Sequence, residues 1–193
     1  SWLILIFISG INLIFLLTIF SLGAAVLFYM IFYISKFEYI KNRLLSFFNP
    51  DTGSYNFQPD KALESITSGG YFGKGIGEGT LKNKVPEAHT DYIISVISEE
   101  FGVIVIILIL VLFLIFIFSI LKKVFSEEDE KIKLILVGSI SLILAQALIH
   151  IGVNIRLFPT TGMTLPYLSY GGSSTIGISI LSGIILNLTK RKI

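Results

Sequence analysis

Long uncharged runs set the pattern of this chain. Residues 1–35 carry no charged side chain, and neither do residues 101–121. A helix that crosses the hydrocarbon core of a bilayer needs about 20 apolar residues. The first run is too long for one untilted span, and Gly10 and Asn12 interrupt it. The pattern predicts the end of a span over 1–9, with Trp2 suited to an interface, and full spans over 13–35, 92–121, 134–155 and 168–189. Lys122 to Lys133 reads as a short polar hairpin carrying the acidic run Glu127, Glu128, Asp129 and Glu130. Residues 156–167, with Pro159, Gly162 and Pro166, are too broken for regular helix. The fold class that follows is all-α: a single polytopic membrane helix bundle over 1–193, with about four spans plus a partial one.

Residues 36–90 form the one long polar stretch. Asn49 to Ser54 is a turn cluster. Asp60 to Ser68 suits a short helix, with Asp60 near its start and Gly69 just past its end. Ala62, Leu63 and Ile66 share one face of it, as in a helix lying on a membrane surface. Loops this long are usually functional or disordered.

Composition supports the membrane reading. The chain has 193 residues, 53% hydrophobic and only 15% charged, where soluble domains keep roughly a quarter charged. Mean hydropathy is +0.83. A net charge of +2 does not suggest nucleic-acid binding. The absence of cysteine excludes a disulfide scaffold, a thiolate metal site and a cysteine nucleophile, and two histidines make a His-rich metal site a poor fit. Ser1 opens directly into an apolar run without a basic segment, which reads as a piece of something longer and not as a signal peptide. The 122–133 hairpin and the C-terminal tail hold seven Lys and Arg, against Arg156 alone in the 156–167 connection. Basic short loops stay cytoplasmic, so the 36–90 loop is expected outside.

Three stretches are candidates for chemistry. Gly73-Lys74-Gly75-Ile76-Gly77-Glu78-Gly79-Thr80 has glycine at alternate positions, which lets backbone amides approach a phosphate. It matches neither a dinucleotide fingerprint nor a Walker loop, and glycine clusters are also the ordinary mark of a surface turn. Pro86-Glu87-Ala88-His89-Thr90-Asp91-Tyr92 leads into a span. Acids near a helix start complement its dipole, but Glu, His and Asp together at a membrane helix mouth also suit a general base or a site for a divalent cation. Glu99 and Glu100 are cheapest at the outer boundary of a span over 101–121, which puts Asp91 near or above the headgroups. The third stretch, Phe158 to Ser174, has two prolines, three glycines and six Ser or Thr hydroxyls. It suits either a re-entrant segment lining a cavity or a loop with small-residue helix packing. Gln146 and His150, four apart in a span, are expected to hydrogen-bond to a neighbouring helix.

Taken together, these segments resemble the SEDS family of bacterial membrane glycosyltransferases. The matching residues are Arg43 through Asn49-Pro50, Gln58, Gly69 to Thr80, Pro86 to Ile93, Glu99-Glu100-Phe101-Gly102, and Pro159 to Ser174. The resemblance covers nearly the whole chain and the C-terminal half of that ten-span family. Met163-Thr164-Leu165-Pro166 and Ser169 to Ser174 look more like the division branch than the elongation branch. The chain departs from that branch at Thr161, usually Lys, at His150, often Asn, and at Phe57, usually Tyr.

The resemblance implies polymerisation of lipid II, a disaccharide-pentapeptide on undecaprenyl pyrophosphate, into glycan strands. This would take place on the outer face of the bacterial cytoplasmic membrane. It implies a class B penicillin-binding protein and other division proteins as partners. It aligns the family's essential acid with Asp91, as general base or holder of a divalent cation. Arg43, Lys74, Gly75 and Gly77 are the candidates for the pyrophosphate by charge and position. Gln58, Glu87, His89, Ser169, Gly171 and Gly172 are further substrate-binding candidates. A lipid II flippase and a structural scaffold of the division complex are the alternatives, because broken helices around a polar cavity also serve transport.

Overall fold

The computed structural model describes residues 5–6, 10, 12–48, 57–85 and 87–190. Most of the partial span expected over 1–9, including Trp2, and the Asn49–Ser54 turn cluster lie outside the described residues. The described residues contain helices and no strand. They divide into two compact units, 1–57 and 58–193.

In the first unit, α1 (Leu13–Tyr33) is long and apolar enough to cross a membrane, and none of its residues is buried. Asn12 caps it, its side-chain oxygen accepting from the Ile14 amide at 3.0 Å. Ile34 is extended, and after a 3-10 turn over Ser35–Phe37 the chain continues as α2 (Glu38–Phe48). Arg43 lies on α2, its guanidinium 4.7 Å from the Tyr39 ring centre, a cation–π distance.

In the second unit, α3 (Phe57–Gly69) leads through the glycine-rich loop to the short α4 (Leu81–Lys84). After a turn over 87–91 come α5 (Ile93–Phe101), α6 (Val103–Ser126), α7 (Glu130–Asn154) and α8 (Gly172–Lys190). The last three have the length and hydropathy of spans. With α1 they make this chain a polytopic membrane helix bundle. Half of α7's apolar stretch is buried, against 11% for α6 and α8, so α7 is the central helix of this unit. One buried cluster joins Ala62, Leu81, Val85, Ala88, Tyr92, Val96 and Val153, tying α3, α4 and α5 to the end of α7. A second joins Ile94 and Ala147 to Leu165 of the broken segment.

Several boundaries differ from those expected. The helix expected over 92–121 is divided at Gly102, whose φ of 83° and ψ of 173° belong to a region essentially reserved for glycine. The apolar span is Val103–Ser126, and Glu99 and Glu100 sit on α5, before it. The polar hairpin shrinks to Glu127–Asp129. There Asp129 caps α7 by accepting from the Lys131 amide, and Glu130 follows in the first turn. The surface helix expected at Asp60 starts at Phe57. The irregular segment after α7 continues to Gly171, so the last span starts at Gly172 and not at 168. Pro166 within that segment cannot donate a helical hydrogen bond, and Tyr167 has a φ of 68°.

The break at Gly102 is closed by the glycine-rich loop. Val103 N donates to Gly70 O at 3.0 Å, and a Cβ on Gly102 would lie 2.1 Å from Tyr71 O. Gly102→Ala is therefore expected to destabilise the fold by about 3 kcal/mol, combining the backbone penalty with the clash. Thermal unfolding of the detergent-solubilised full-length protein would show it as a lowered midpoint.

Candidate functional site

Asp91 ends the 87–91 turn, where the amides of Thr90 and Asp91 both donate to Glu87 O at 3.1 and 2.9 Å. This turn, and not a continuous helix, carries Glu87 and Asp91. The three carbonyls that follow Ala88 are each held by another part of the unit. His89 O accepts from Tyr170 N at 3.2 Å, Thr90 O from Ser169 Oγ at 2.8 Å, and Asp91 O from Asn154 Nδ2 at 3.0 Å. The Asp91 side chain is half-buried, and its Oδ2 lies 3.5 Å from where a Cβ on Gly162 would sit. Asp91 thus stands where the turn before α5, the end of α7 and the broken 157–171 segment meet.

Asn154 holds this junction together and was not among the residues singled out from the sequence. It is fully buried. Its oxygen accepts from Ser95 Oγ at 2.7 Å and Ser95 N at 3.3 Å, while its NH2 donates to Asp91 O and to His150 O at 2.9 Å. Both ends of the amide are satisfied, as burial demands. The signal was an Asn at the close of an apolar helix, four residues after His150, but nothing in the sequence names its partner.

The polar side chains of α7 brace the broken segment. His150 Nδ1 lies 2.7 Å from Met163 O; a carbonyl can only accept, so Nδ1 carries the proton. Gln146 Nε2 reaches Thr164 O, Thr164 Oγ1 and Ser174 Oγ at 2.9–3.1 Å. Their partners lie in the irregular segment and the first turn of α8. Ser169 Oγ also accepts from Leu165 N at 2.7 Å. Ser169, Gly171 and Gly172 line one open pocket of about 540 Å³ with Tyr170 and Thr175.

The other expected site residues fall into separate places. Gln58 Nε2 donates to Glu87 Oε2 at 3.2 Å, joining the first turn of α3 to the Asp91 turn. His89 is exposed. Arg43 belongs to the first unit. Lys74, Gly75 and Gly77 lie on the loop that wraps the C-terminal end of α5, and there the loop makes a different use of its amides from a phosphate cradle. Gly73 N donates to Gly69 O, Lys74 N to Glu99 O and Gly75 N to Glu100 O, at 2.8–3.0 Å. Gly75 and Gly77 have positive φ, the conformation that requires glycine there. The anion this loop receives is the chain's own Glu99. Its buried carboxylate takes Lys74 Nζ at 2.9 Å, the amides of Thr80 and Leu81 at 3.0 Å each, and Thr80 Oγ1 at 3.1 Å.

No group of three or more His, Asp or Glu side chains that could hold a metal ion exists among the described residues.

Two outcomes are expected. Asn154→Ala leaves Asp91 O and Ser95 Oγ without their buried partner, at a cost of about 1–3 kcal/mol. Hydrogen exchange should then rise in residues 87–95 above the rest of the protein. Glu99 lies outside the spans. Burial alone would raise its pKa, but the Lys74 ammonium, the Leu81 and Thr80 amides and the Thr80 hydroxyl outweigh it and hold the carboxyl at about 2. Its contribution is complete above the unfolded value of about 4.3 and is lost as pH falls toward 2. Lowering pH from 5 to 2 should therefore destabilise wild type by about 2 kcal/mol more than Glu99→Gln, with the half-exposed Lys74 end discounted for screening. Unfolding midpoints across that range would measure the difference.

Comparison with known proteins agrees with this architecture. The FTSW_RODA_SPOVE family model, described as "Cell cycle protein", matches residues 1–193. The chain is 37% identical over 156 residues to a "Probable peptidoglycan glycosyltransferase FtsW" of Caulobacter vibrioides, covering 81% of this chain and 40% of that protein. It is 34% identical over 189 residues to a protein of the same description from Trichlorobacter lovleyi, covering 96% and 49%. The chain thus spans less than half the length of these curated relatives. A solved structure reported as "Structural coordination of polymerization and crosslinking by a peptidoglycan synthase complex" superimposes with a TM-score of 0.77 at 23% identity, over 97% of this chain and 52% of that one. That likeness supports the fold. The match along the full chain shows that this chain belongs to the FtsW/RodA/SpoVE family of cell cycle proteins.

Proposed function

We propose that this chain carries the catalytic carboxylate, a general base, of a division-type peptidoglycan glycosyltransferase, which polymerises lipid II into glycan strands on the outer face of the bacterial cytoplasmic membrane. The observation that carries the reading is the junction at Asp91. Its backbone is fixed by Asn154, and its neighbours' carbonyls by Ser169 and Tyr170. Its half-buried carboxylate faces the broken segment at Gly162. Relatives described as probable peptidoglycan glycosyltransferases supply the reaction class.

In this reading the acceptor sugar's 4-hydroxyl attacks the anomeric carbon of the donor. Asp91 accepts the hydroxyl proton as the new glycosidic bond forms, and the bond to the undecaprenyl pyrophosphate breaks with the electron pair leaving on the phosphate oxygen. A single displacement converts an α-linked donor to a β-linked product. Glu87 and His89 on the turn, with Gln58 and the Ser169–Gly172 pocket beside it, are assigned to sugar and peptide groups. The charge of the leaving pyrophosphate must be stabilised as it departs, a task for which Lys74 is not free in this structure, since it pairs with Glu99. A class B penicillin-binding protein is the expected partner, by analogy with the polymerization and crosslinking complex that shares the fold. The basic 122–133 hairpin and tail set the expected orientation, with Asp91 outside.

Asp91→Asn in the full-length protein, assayed with its class B partner and purified lipid II, is expected to lower polymerisation by about two to four orders of magnitude. Membrane level and unfolding midpoint should be unchanged, because the replacement is nearly isosteric. Wild-type rates in the variant would remove Asp91 from the chemistry and favour transport or scaffolding.

A further inference from the structure

The glycine-rich loop carries three large apolar side chains to the surface within six residues. Tyr71, Phe72 and Ile76 are 75%, 84% and 79% exposed. In water such a cluster is an association hazard. Its position gives it another environment. Val103 N donates to Gly70 O and Ile104 N reaches Tyr71 O, so the loop is joined to the first turn of α6, where the apolar span begins.

The level of the loop is fixed by contact and not by chance packing. A Cβ on Gly69 would lie 2.1 Å from Ser98 O, and one on Gly73 would lie 2.2 Å from Glu100 O. Both glycines therefore press the loop's backbone onto the backbone of α5. Lys74 Nζ and the amides of Thr80 and Leu81 bind Glu99, which ties down the far side. The loop cannot lift away from the end of the span without breaking these bonds. Ile104, Ile107 and Leu108 of α6 are exposed as well, so the span presents apolar surface at the end to which the loop's backbone is joined.

We infer that Tyr71, Phe72 and Ile76 form a membrane anchor, inserted into the boundary between headgroups and acyl chains at the Val103 end of α6. The partner is the lipid surface itself. Tyr is enriched at that level because its ring meets hydrocarbon while its hydroxyl meets water, and Phe72 and Ile76 supply purely apolar surface to insert beside it. Of the charged groups of the loop, Lys74 turns to Glu99, and the Glu78 amide donates back to Gly75 O. The anchor would hold the α3–α5 layer, and with it the Asp91 turn, at the height of a lipid-borne headgroup. The inference stands on the loop's geometry and does not depend on the reaction assigned to Asp91.

The test is spin labelling of the full-length protein, with any other cysteine replaced, in nanodiscs of zwitterionic and anionic phospholipid. This chain contributes no cysteine of its own. Labels would be placed at Phe72→Cys and, separately, Ile76→Cys. Glu128→Cys serves as the aqueous reference and Leu112→Cys as the lipid reference. Collision rates with oxygen and with a water-soluble nickel chelate give the depth. The expected result is an oxygen-to-nickel ratio at 72 and 76 several-fold above Glu128→Cys and below Leu112→Cys. A ratio equal to the aqueous reference overturns the inference. So does low accessibility to both reagents, which would mean that protein and not lipid covers the loop. Phe72→Asp, read by the label at 76, should lower the ratio there; no change would also count against an anchor.

Discussion

Gly102 sits between a helix and a membrane span with φ 83° and ψ 173°. Apart from that residue, the chain from Ile93 to Ser126 is helical, and without the break the hydrophobic run would carry α5 straight on from α6. The break frees α5 to pack on α7, where Ser95 meets Asn154 and Tyr92 and Val96 join Val153. It also creates the notch that the glycine-rich loop fills, with Gly70 and Tyr71 carbonyls taking the amides that start α6. A helix start needs such partners, because its first amides have none within the helix. One backbone conformation, available only to glycine, thereby determines where Asp91 can stand.

The polar groups around Asp91 obey a strict requirement. Close to hydrocarbon, a buried amide or carbonyl without a partner is costly. The irregular segment from 157 to 171 exposes many such groups, and α7 supplies partners in a row along its length: Gln146 to Thr164 and Ser174, His150 to Met163, Asn154 to Asp91. These residues follow at intervals of four, so they share one face of a helix. Broken backbone beside a membrane-spanning helix is tolerable here because that one regular helix satisfies it. The same arrangement gives the site rigidity, since the Asp91 turn and the broken segment are held by a common support.

Electrostatics divides the charged groups between two tasks. Glu99 is buried and satisfied by four donors, and it organises the loop and α4. Glu87 is exposed, and among the described residues its carboxylate takes a side-chain amide from Gln58. An acid with so many donors is strongly held in its ionised form. Such a group suits architecture, whereas a proton acceptor must be reachable by substrate. Asp91, half-buried and facing Gly162, is the acid to which the proposed reaction gives that second task.

Much of this was legible in the chain itself. The uncharged runs of about 20 residues identify the spans, since lipid admits little else. The family motifs propose Asp91 as the candidate carboxylate, and the prolines and glycines between 157 and 172 identify a break before the last span. The division at Gly102 was not legible, because a single glycine in an apolar helix is compatible with continuous helix until its torsions are known. The glycine-rich loop matched a phosphate-binding pattern, yet its amides meet Glu99, Glu100 and Gly69. Asn154 gave no sign of its partner, 63 residues away in sequence. Hydrophobic periodicity and turn chemistry are local properties, so the sequence by itself determined the elements and their membrane setting. Which donor met which acceptor depended on how the helices crossed, and only the tertiary structure decided that.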